Sequence, residues 1–314
     1  MMIYVCCPPR IATGGVELLH QLVFELNSQS PGLAKILFID DMPEAGFPMP
    51  PQYEKYKNPI SVNQCEADGA VFILPEIWAH LAQTRLAGCS SVIWWESVDN
   101  YFYANPPGSW YGFAQNKSML HMVQSAYARG FLLENAKIPK ERILEVSDYL
   151  GEDFLDGRTE LVSHKRKPVV LYNPQKGLDF TRKLMEASPE LVWVPLKGMS
   201  SSELAALMRE SRVYVDFGNH PGKDRMPREA AVCGCCIITG RNGSASYPED
   251  VPIPGSFKFE RRESNIPAIC QRIEELVRRY DRHIGDFAHY RCVIRGERAK
   301  FREDVGRLIS VLSG

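Results

Sequence analysis

Short apolar runs of strand length recur along this chain, separated by polar turns and by apolar residues at helical spacing. The runs fall at residues 2–7, 35–40, 70–74, 91–95, 119–124 and 142–146, and again at 168–172, 191–195, 213–217 and 235–239. Between them, Leu18, Leu19, Leu22, Val23 and Leu26 form one helical stripe, and Phe180, Leu184 and Met185 another. Ser200 with Glu203 has the spacing of a helix cap. Ile266, Ile269, Ile273, Leu276, Val277 and Tyr280 mark a long amphipathic helix, and Phe301, Val305, Leu308, Ile309 and Leu312 mark a last one. Strands alternating with helices predict α/β architecture with parallel sheets covered on both faces. Residues 43–59 are proline-rich and read as a loop, and residues 151–167 are polar and charged. The latter stretch reads as a linker. It separates a first α/β unit, residues 1–150, from a second, residues 168–285, with a terminal helical segment at 286–314.

Composition narrows the function classes. A chain of 314 residues suits two domains, each able to bury a core. Its 37 basic and 38 acidic residues nearly cancel, which argues against a nucleic-acid binder that lives on phosphate contacts. No apolar run has the length of a membrane span, and the N-terminus lacks a basic leader region. The nine cysteines show no framework spacing, which predicts reduced thiols and a cytoplasmic protein. Cys6, Cys7, Cys233, Cys235 and Cys236 lie in or beside predicted strands without histidine partners, so they read as small core residues rather than zinc ligands.

The densest chemistry lies at residues 213–240, V-Y-V-D-F-G-N-H-P-G-K-D-R-M-P-R-E-A-A-V-C-G-C-C-I-I-T-G. A strand leads into a polar loop carrying His220, Lys223, Asp224 and Arg225. A helix follows, with Pro227 in its first turn and Gly234 closing it in a left-handed conformation. A loop at a strand's carboxyl end that feeds a helix N-terminus is where open α/β sheets bind ligands. Unpaired N–H groups and the helix dipole favour an anion there, and Lys223, Arg225 and Arg228 supply matching charge. The alternative is a solvated loop whose cations pair with Asp224 and Glu229.

This segment resembles the nucleotide-sugar site of GT-B glycosyltransferases, in particular the retaining family of sucrose synthase and bacterial mannosyltransferases. Glu229-Ala230 through Cys233-Gly234 matches that family's E-A-x-x-x-G pattern, and the resemblance implies that Glu229 holds the nucleotide ribose. The family's other glutamate, eight residues earlier, is replaced by Pro221. In the segment Y-N-P-Q-K-G, Lys176 and Gly177 resemble the donor-side R-x-x-x-x-K-G element, whose lysine reaches the diphosphate; its arginine position is Leu171 here, and Asn173 is a further donor-side candidate. Thr13-Gly14-Gly15-Val16-Glu17 is similar to the G-G-x-E loop that faces the donor phosphates. Without a third glycine farther into the helix, it is not a dinucleotide fingerprint.

In the first half, V-I-W-W-E-S-V-D-N-Y-F-Y sets Glu96 and Asp99 directly after a strand, among Trp95, Tyr101, Phe102, Tyr103, Trp110 and Tyr111. Aromatic faces stack on sugar rings, and a carboxylate at a strand end can accept a hydroxyl proton. Core packing is the competing role for each ring. Glu76 and His80 form a second acceptor-side group.

The resemblance implies a GT-B fold: two Rossmann-like domains facing each other across a cleft, with a C-terminal helix crossing back onto the first. It implies sugar transfer from a nucleotide donor to a saccharide or lipid-linked acceptor, in surface polysaccharide or glycan assembly. The site is expected at Lys176, Lys223, Arg225, Gly14 and Gly15 for the leaving diphosphate, and at Glu96 or Asp99 for an inverting base. Trp95, Tyr101 and Glu76 are expected toward the acceptor. Fixed cations can stabilise the leaving group without a metal, and no Asp-x-Asp motif or cofactor signature is present. A GT-B sugar-nucleotide epimerase and a non-catalytic GT-B scaffold stand as alternatives. Contact with the inner face of the membrane and the choice between retention and inversion stay open.

Overall fold

The computed structural model describes residues 1–65, 69–106, 108–155 and 161–314, apart from the side chains of residues 43, 111 and 114. Two compact units emerge: Met1–Asp148 with Ala299–Gly314, and Tyr149–Arg298.

In the first unit the elements run β1 (Ile3–Cys7), α1 (Gly14–Gln29), β2 (Ala34–Phe38), β3 (Ile60–Val62), β4 (Val71–Pro75) and β5 (Ser90–Trp95). Then come α2 (Val98–Ala104), α3 (Tyr111–Gln115), β6 (Leu120–Val123), α4 (Ala126–Glu134) and β7 (Ile143–Glu145). The strands form one parallel sheet of order β3-β2-β1-β4-β5-β6-β7. Every residue of β1 and β4 is buried, as the continuous apolar runs predict. Thr13 caps α1 by accepting the Val16 N–H, and Leu18, Leu19, Leu22, Val23 and Leu26 are buried.

The second unit begins with α5 (Glu152–Leu155), then β8 (Lys167–Tyr172), α6 (Leu178–Ala187), β9 (Val192–Pro195), α7 (Ser201–Glu210) and β10 (Ser211–Asp216). It continues with α8 (Arg225–Val232), β11 (Cys236–Gly240), β12 (Lys258–Phe259), α9 (Ile266–Arg278), α10 (Tyr280–His283) and α11 (Ala288–Ser313). Its parallel sheet has the order β12-β11-β10-β8-β9. Ser200 and Glu203 close a reciprocal capping box on α7. Gly234, at φ 92°, follows α8 in the left-handed conformation expected of it.

Part of the stretch expected as a linker, residues 156–160, lies outside the described residues. Ahead of it, Leu150 and Phe154 belong to the core of the second unit. Helix α11 contributes to both units. Tyr290 and Ile294 are buried in the second, while Phe301, Val305 and Leu308 are buried on the part that belongs to the first. There the Gln29 side-chain amide donates to the Arg302 carbonyl at 2.7 Å. Six of the cysteines, Cys6, Cys7, Cys233, Cys235, Cys236 and Cys270, are buried thiols. Among the described residues no helix is long and apolar enough to cross a membrane.

Candidate functional site

Each sheet reverses its strand order at one place. In the second unit β8 is flanked by β9 and β10, so the crevice opens beyond the carboxyl ends of β8 and β10. The loops leaving those two strands carry Lys176-Gly177 and residues 218–224. They are packed backbone to backbone. Gly177 sits at φ 64°, and a Cβ there would lie 2.5 Å from the Phe217 carbonyl carbon and oxygen. A Cβ on Gly218 would lie 2.5 Å from the Lys176 Cβ. Two glycines thus let the loops meet, although their residues lie far apart in sequence.

Lys176 is brought to residue 224 by this contact. Its Nζ donates to Asp224 Oδ1 at 3.0 Å and Oδ2 at 3.1 Å, with 39% of the lysine side chain exposed. Arg225 Nε lies 3.5 Å from Glu229 Oε1, and both side chains are largely buried. Lys223 and Arg228 turn to α11: Lys223 Nζ is 2.9 Å from Glu297 Oε1, and Arg228 Nη1 donates to Glu297 Oε2 at 2.9 Å. Asn173 shapes the first loop by accepting the Gln175 N–H at 2.9 Å.

Two residues expected to touch the donor are placed differently. Arg228 is fully buried, and its guanidinium also donates to the Lys223 and Asp224 carbonyls, so it braces the loop from inside. His220 is fully buried between Asp216 and Asp224. Burial keeps both from a ligand's surface. Burial also raises the Asp224 carboxyl above its ordinary range, against the pull of His220 and Lys176.

In the first unit the order reverses between β1 and β4. Gly14-Gly15 opens α1 beyond β1, Glu76 follows β4, and Glu96 follows β5. Gly15 gives Glu96 its place, since a Cβ on that glycine would lie 2.5 Å from Glu96 Oε2. Glu76 accepts the Glu96 N–H at 3.0 Å and a second backbone N–H from Ser97. Burial nonetheless pushes the Glu76 carboxyl up to about 8. Glu96 is raised well above its ordinary value by burial and by the nearby charges of Glu76 and Asp148. Its Oε1 is sealed from solvent with no hydrogen-bond partner among the described residues. Asp99 accepts the Tyr127 hydroxyl at 2.9 Å.

The aromatic residues expected at an acceptor are mostly core. Trp95 and Tyr101 are fully buried, with ring centroids 4.8 Å apart, and Trp95 Nε1 donates to His121 at 3.1 Å. Neither ring offers a face to a sugar. Glu76 is 3% exposed, buried rather than at the surface. Among the described rings of that stretch Phe102 and Tyr103 are exposed, and the Tyr111 side chain lies outside the described residues. His80, partly buried, places Nδ1 3.3 Å from the Asn105 side-chain oxygen.

The sequence by itself does not mark Asp216 or Glu297, and marks Asp224 only as a partner for the loop's cations; in the fold these three hold Lys176, Lys223, Arg228 and the histidine. Glu297 did leave a trace. It falls on the stripe of Ile294 and Phe301 at helical spacing, an acidic residue on an apolar face.

No protein-family model matches this chain, and no curated protein is similar enough to match. Solved structures are similar in fold. HepE from Anabaena, crystallised with UDP and glucose, is 10% identical with a TM-score of 0.69, covering 99% of this chain and all of its own. Sucrose-phosphate synthase from Thermosynechococcus elongatus is 13% identical, TM-score 0.57, over 98% of this chain and 94% of its own. The lipopolysaccharide outer core galactosyltransferase WaaB is 12% identical, TM-score 0.59, over 99% of both chains. With two parallel sheets and these neighbours along nearly its whole length, the chain has the GT-B fold expected from its sequence.

Proposed function

We propose that this protein is a glycosyltransferase that moves a sugar from a nucleotide-sugar donor to a saccharide or lipid-linked acceptor, without a divalent cation. The observation that carries this reading is the meeting of the Lys176-Gly177 and 218–224 loops at the order reversal of the second sheet. It sets a half-exposed ammonium beside the start of α8, the combination that takes up negative charge on a departing diphosphate. Arg225 adds a second cation, and Glu229, four residues on, is the candidate ribose ligand. HepE, with UDP and glucose bound, supports a nucleotide-sugar donor, and WaaB supports a setting in surface glycan assembly. On the acceptor side, Glu96 beside Gly15, or Asp99 in its place, is the candidate base of an inverting reaction.

A non-catalytic scaffold is the competing reading. The pairing of Lys176, Lys223, Arg225 and Arg228 with carboxylates of the same unit favours it, together with Pro221 and Leu171 where the related enzymes carry charge. Thermal unfolding against a panel of uridine, guanosine and adenosine diphosphate sugars, in EDTA, separates the two. A donor at 100 times its Kd should add about 2.7 kcal/mol of stability. No shift with any member supports the scaffold, and a shift that appears only with magnesium or manganese overturns metal independence.

A further inference from the structure

His220 lies in the candidate donor loop without being able to touch a donor. Its ring is fully buried, with Nε2 3.6 Å from Asp216 Oδ1 and Nδ1 3.3 Å from Asp224 Oδ2. Neither ring nitrogen has a conventional hydrogen-bond partner among the described residues. Each ring nitrogen instead faces the carboxylate of a different aspartate, so the ring stands between the two.

Both ends of this bridge are fixed in different ways. Asp216 is anchored at the end of β10, where it accepts the Tyr214 hydroxyl at 2.7 Å and the Gly218 N–H at 2.9 Å. The backbone of His220 is pinned as well. Its carbonyl accepts the Ser244 N–H at 2.8 Å, and Gly243 lacks the Cβ that would fall 2.0 Å from that oxygen. At the far end Asp224 holds the Lys176 ammonium through both of its oxygens. A connected path therefore runs from a buried strand end to a half-exposed cation.

We propose that His220 is a positioning residue for Lys176: by bridging Asp216 and Asp224 it fixes the carboxylate that aims the Lys176 ammonium at an arriving diphosphate. A lysine on four flexible carbons loses rotamer entropy when it is held, and a restrained carboxylate meets that cost before the ligand binds. The same three side chains, Asp216, His220 and Asp224, have ligand atoms within 4.8 Å of one another, a spacing that would also suit a metal ion. The ammonium already on Asp224 and the hydrogen bonds on Asp216 favour the relay instead.

The inference rests on Lys176 meeting the diphosphate, so the experiment keeps the two apart. Calorimetric titration with inorganic pyrophosphate is run on wild type, Lys176→Ala, His220→Gln and the double variant, after thermal melts establish folding. Lys176→Ala and His220→Gln should each weaken binding about tenfold, and the double variant should bind no more weakly than Lys176→Ala alone. That coupling is what a generally structural histidine would not produce. Multiplying losses in the double variant, or unchanged binding in His220→Gln beside a loss in Lys176→Ala, overturns the positioning role alone. Unmeasurable wild-type binding, or equal binding with and without Lys176, overturns the diphosphate reading and this inference with it. If His220→Gln does not fold, Asp216→Asn, which removes the anchor behind the ring, takes its place with the same expected pattern.

Discussion

Beyond the strand ends of the first unit, Glu76 accepts backbone N–H groups and Glu96 lies in the gap left by a glycine, with no cation paired to either among the described residues. Beyond those of the second, Lys176, Arg225, Lys223 and Arg228 each stand against a carboxylate, Asp224, Glu229 or Glu297. The first arrangement keeps buried carboxyls protonated over an unusually wide pH range, because burial and a like charge both oppose ionisation. A carboxyl in that state donates a hydrogen bond to a neutral hydroxyl, and takes up a hydroxyl proton only after it has ionised. The second arrangement sets each cation against a carboxylate of its own unit. An incoming anion then competes with carboxylates already in place, and binding depends on how those carboxylates are held. Similar positions in two parallel sheets thus support different chemistry, decided by what lies within hydrogen-bond reach of each strand end.

The largest test of this contrast is on the second unit. Lys176→Ala should lower the rate of sugar transfer on the order of 10²–10³-fold, about 3–4 kcal/mol in the barrier. Lys183, on α6 and paired with Glu263 at the surface, is the control, and its alanine variant should leave the rate unchanged. Equal turnover in both variants would remove the leaving-group role from Lys176.

A smaller effect separates the two glycine contacts. Gly177→Ala sets a methyl group against the Phe217 backbone in a left-handed conformation, and should cost about 2–3 kcal/mol in urea unfolding. Gly15→Ala meets only the end of the Glu96 side chain, which can swing away, and should cost less. Gly198→Ala, at φ 70° with nothing within 4 Å, measures the backbone part by itself and should cost about 1 kcal/mol. Were Gly15→Ala the more damaging, the backbone-to-backbone packing of the 176–177 and 217–218 loops would not be the tighter joint.

The last expected effect is a slope in pH. With the Glu76 carboxyl at about 8 in the fold and 4.5 in the unfolded chain, the folded state binds the extra proton between those values. Stability from this group is complete below about 4.5 and is lost as pH rises toward 8, by at most about 1.4 kcal/mol per pH unit. Glu76→Gln, which cannot ionise, should flatten that part of the profile. Glu96 and Asp224, both raised, leave a residual slope of the same sign. An unchanged profile in Glu76→Gln would mean that Glu76 is ionised in the native state.

Much of this protein is decided by neighbours along the chain. Continuous apolar runs give the buried strands, serine with glutamate three residues on gives the α7 cap, and Gly234 ends α8, because each depends on residues within one or two turns. Lys176-Gly177 and the 218–226 loop are legible for the same reason: a glycine beside a cation between a strand and a helix is a local signal. The edge strands β3 and β12 escape, since a run of two or three residues carries too little pattern and is completed by pairing with β2 and β11. Tertiary structure alone decides that Trp95 and Tyr101 are core rather than platform. An aromatic residue near a strand end is covered or not according to what packs over it, here Phe113 and Phe131. It also decides that Arg228 pairs with Glu297, 69 residues away, and that His220 joins two aspartates. Side-chain charges act through space over a few ångströms, and only the folded chain sets which of them come that close.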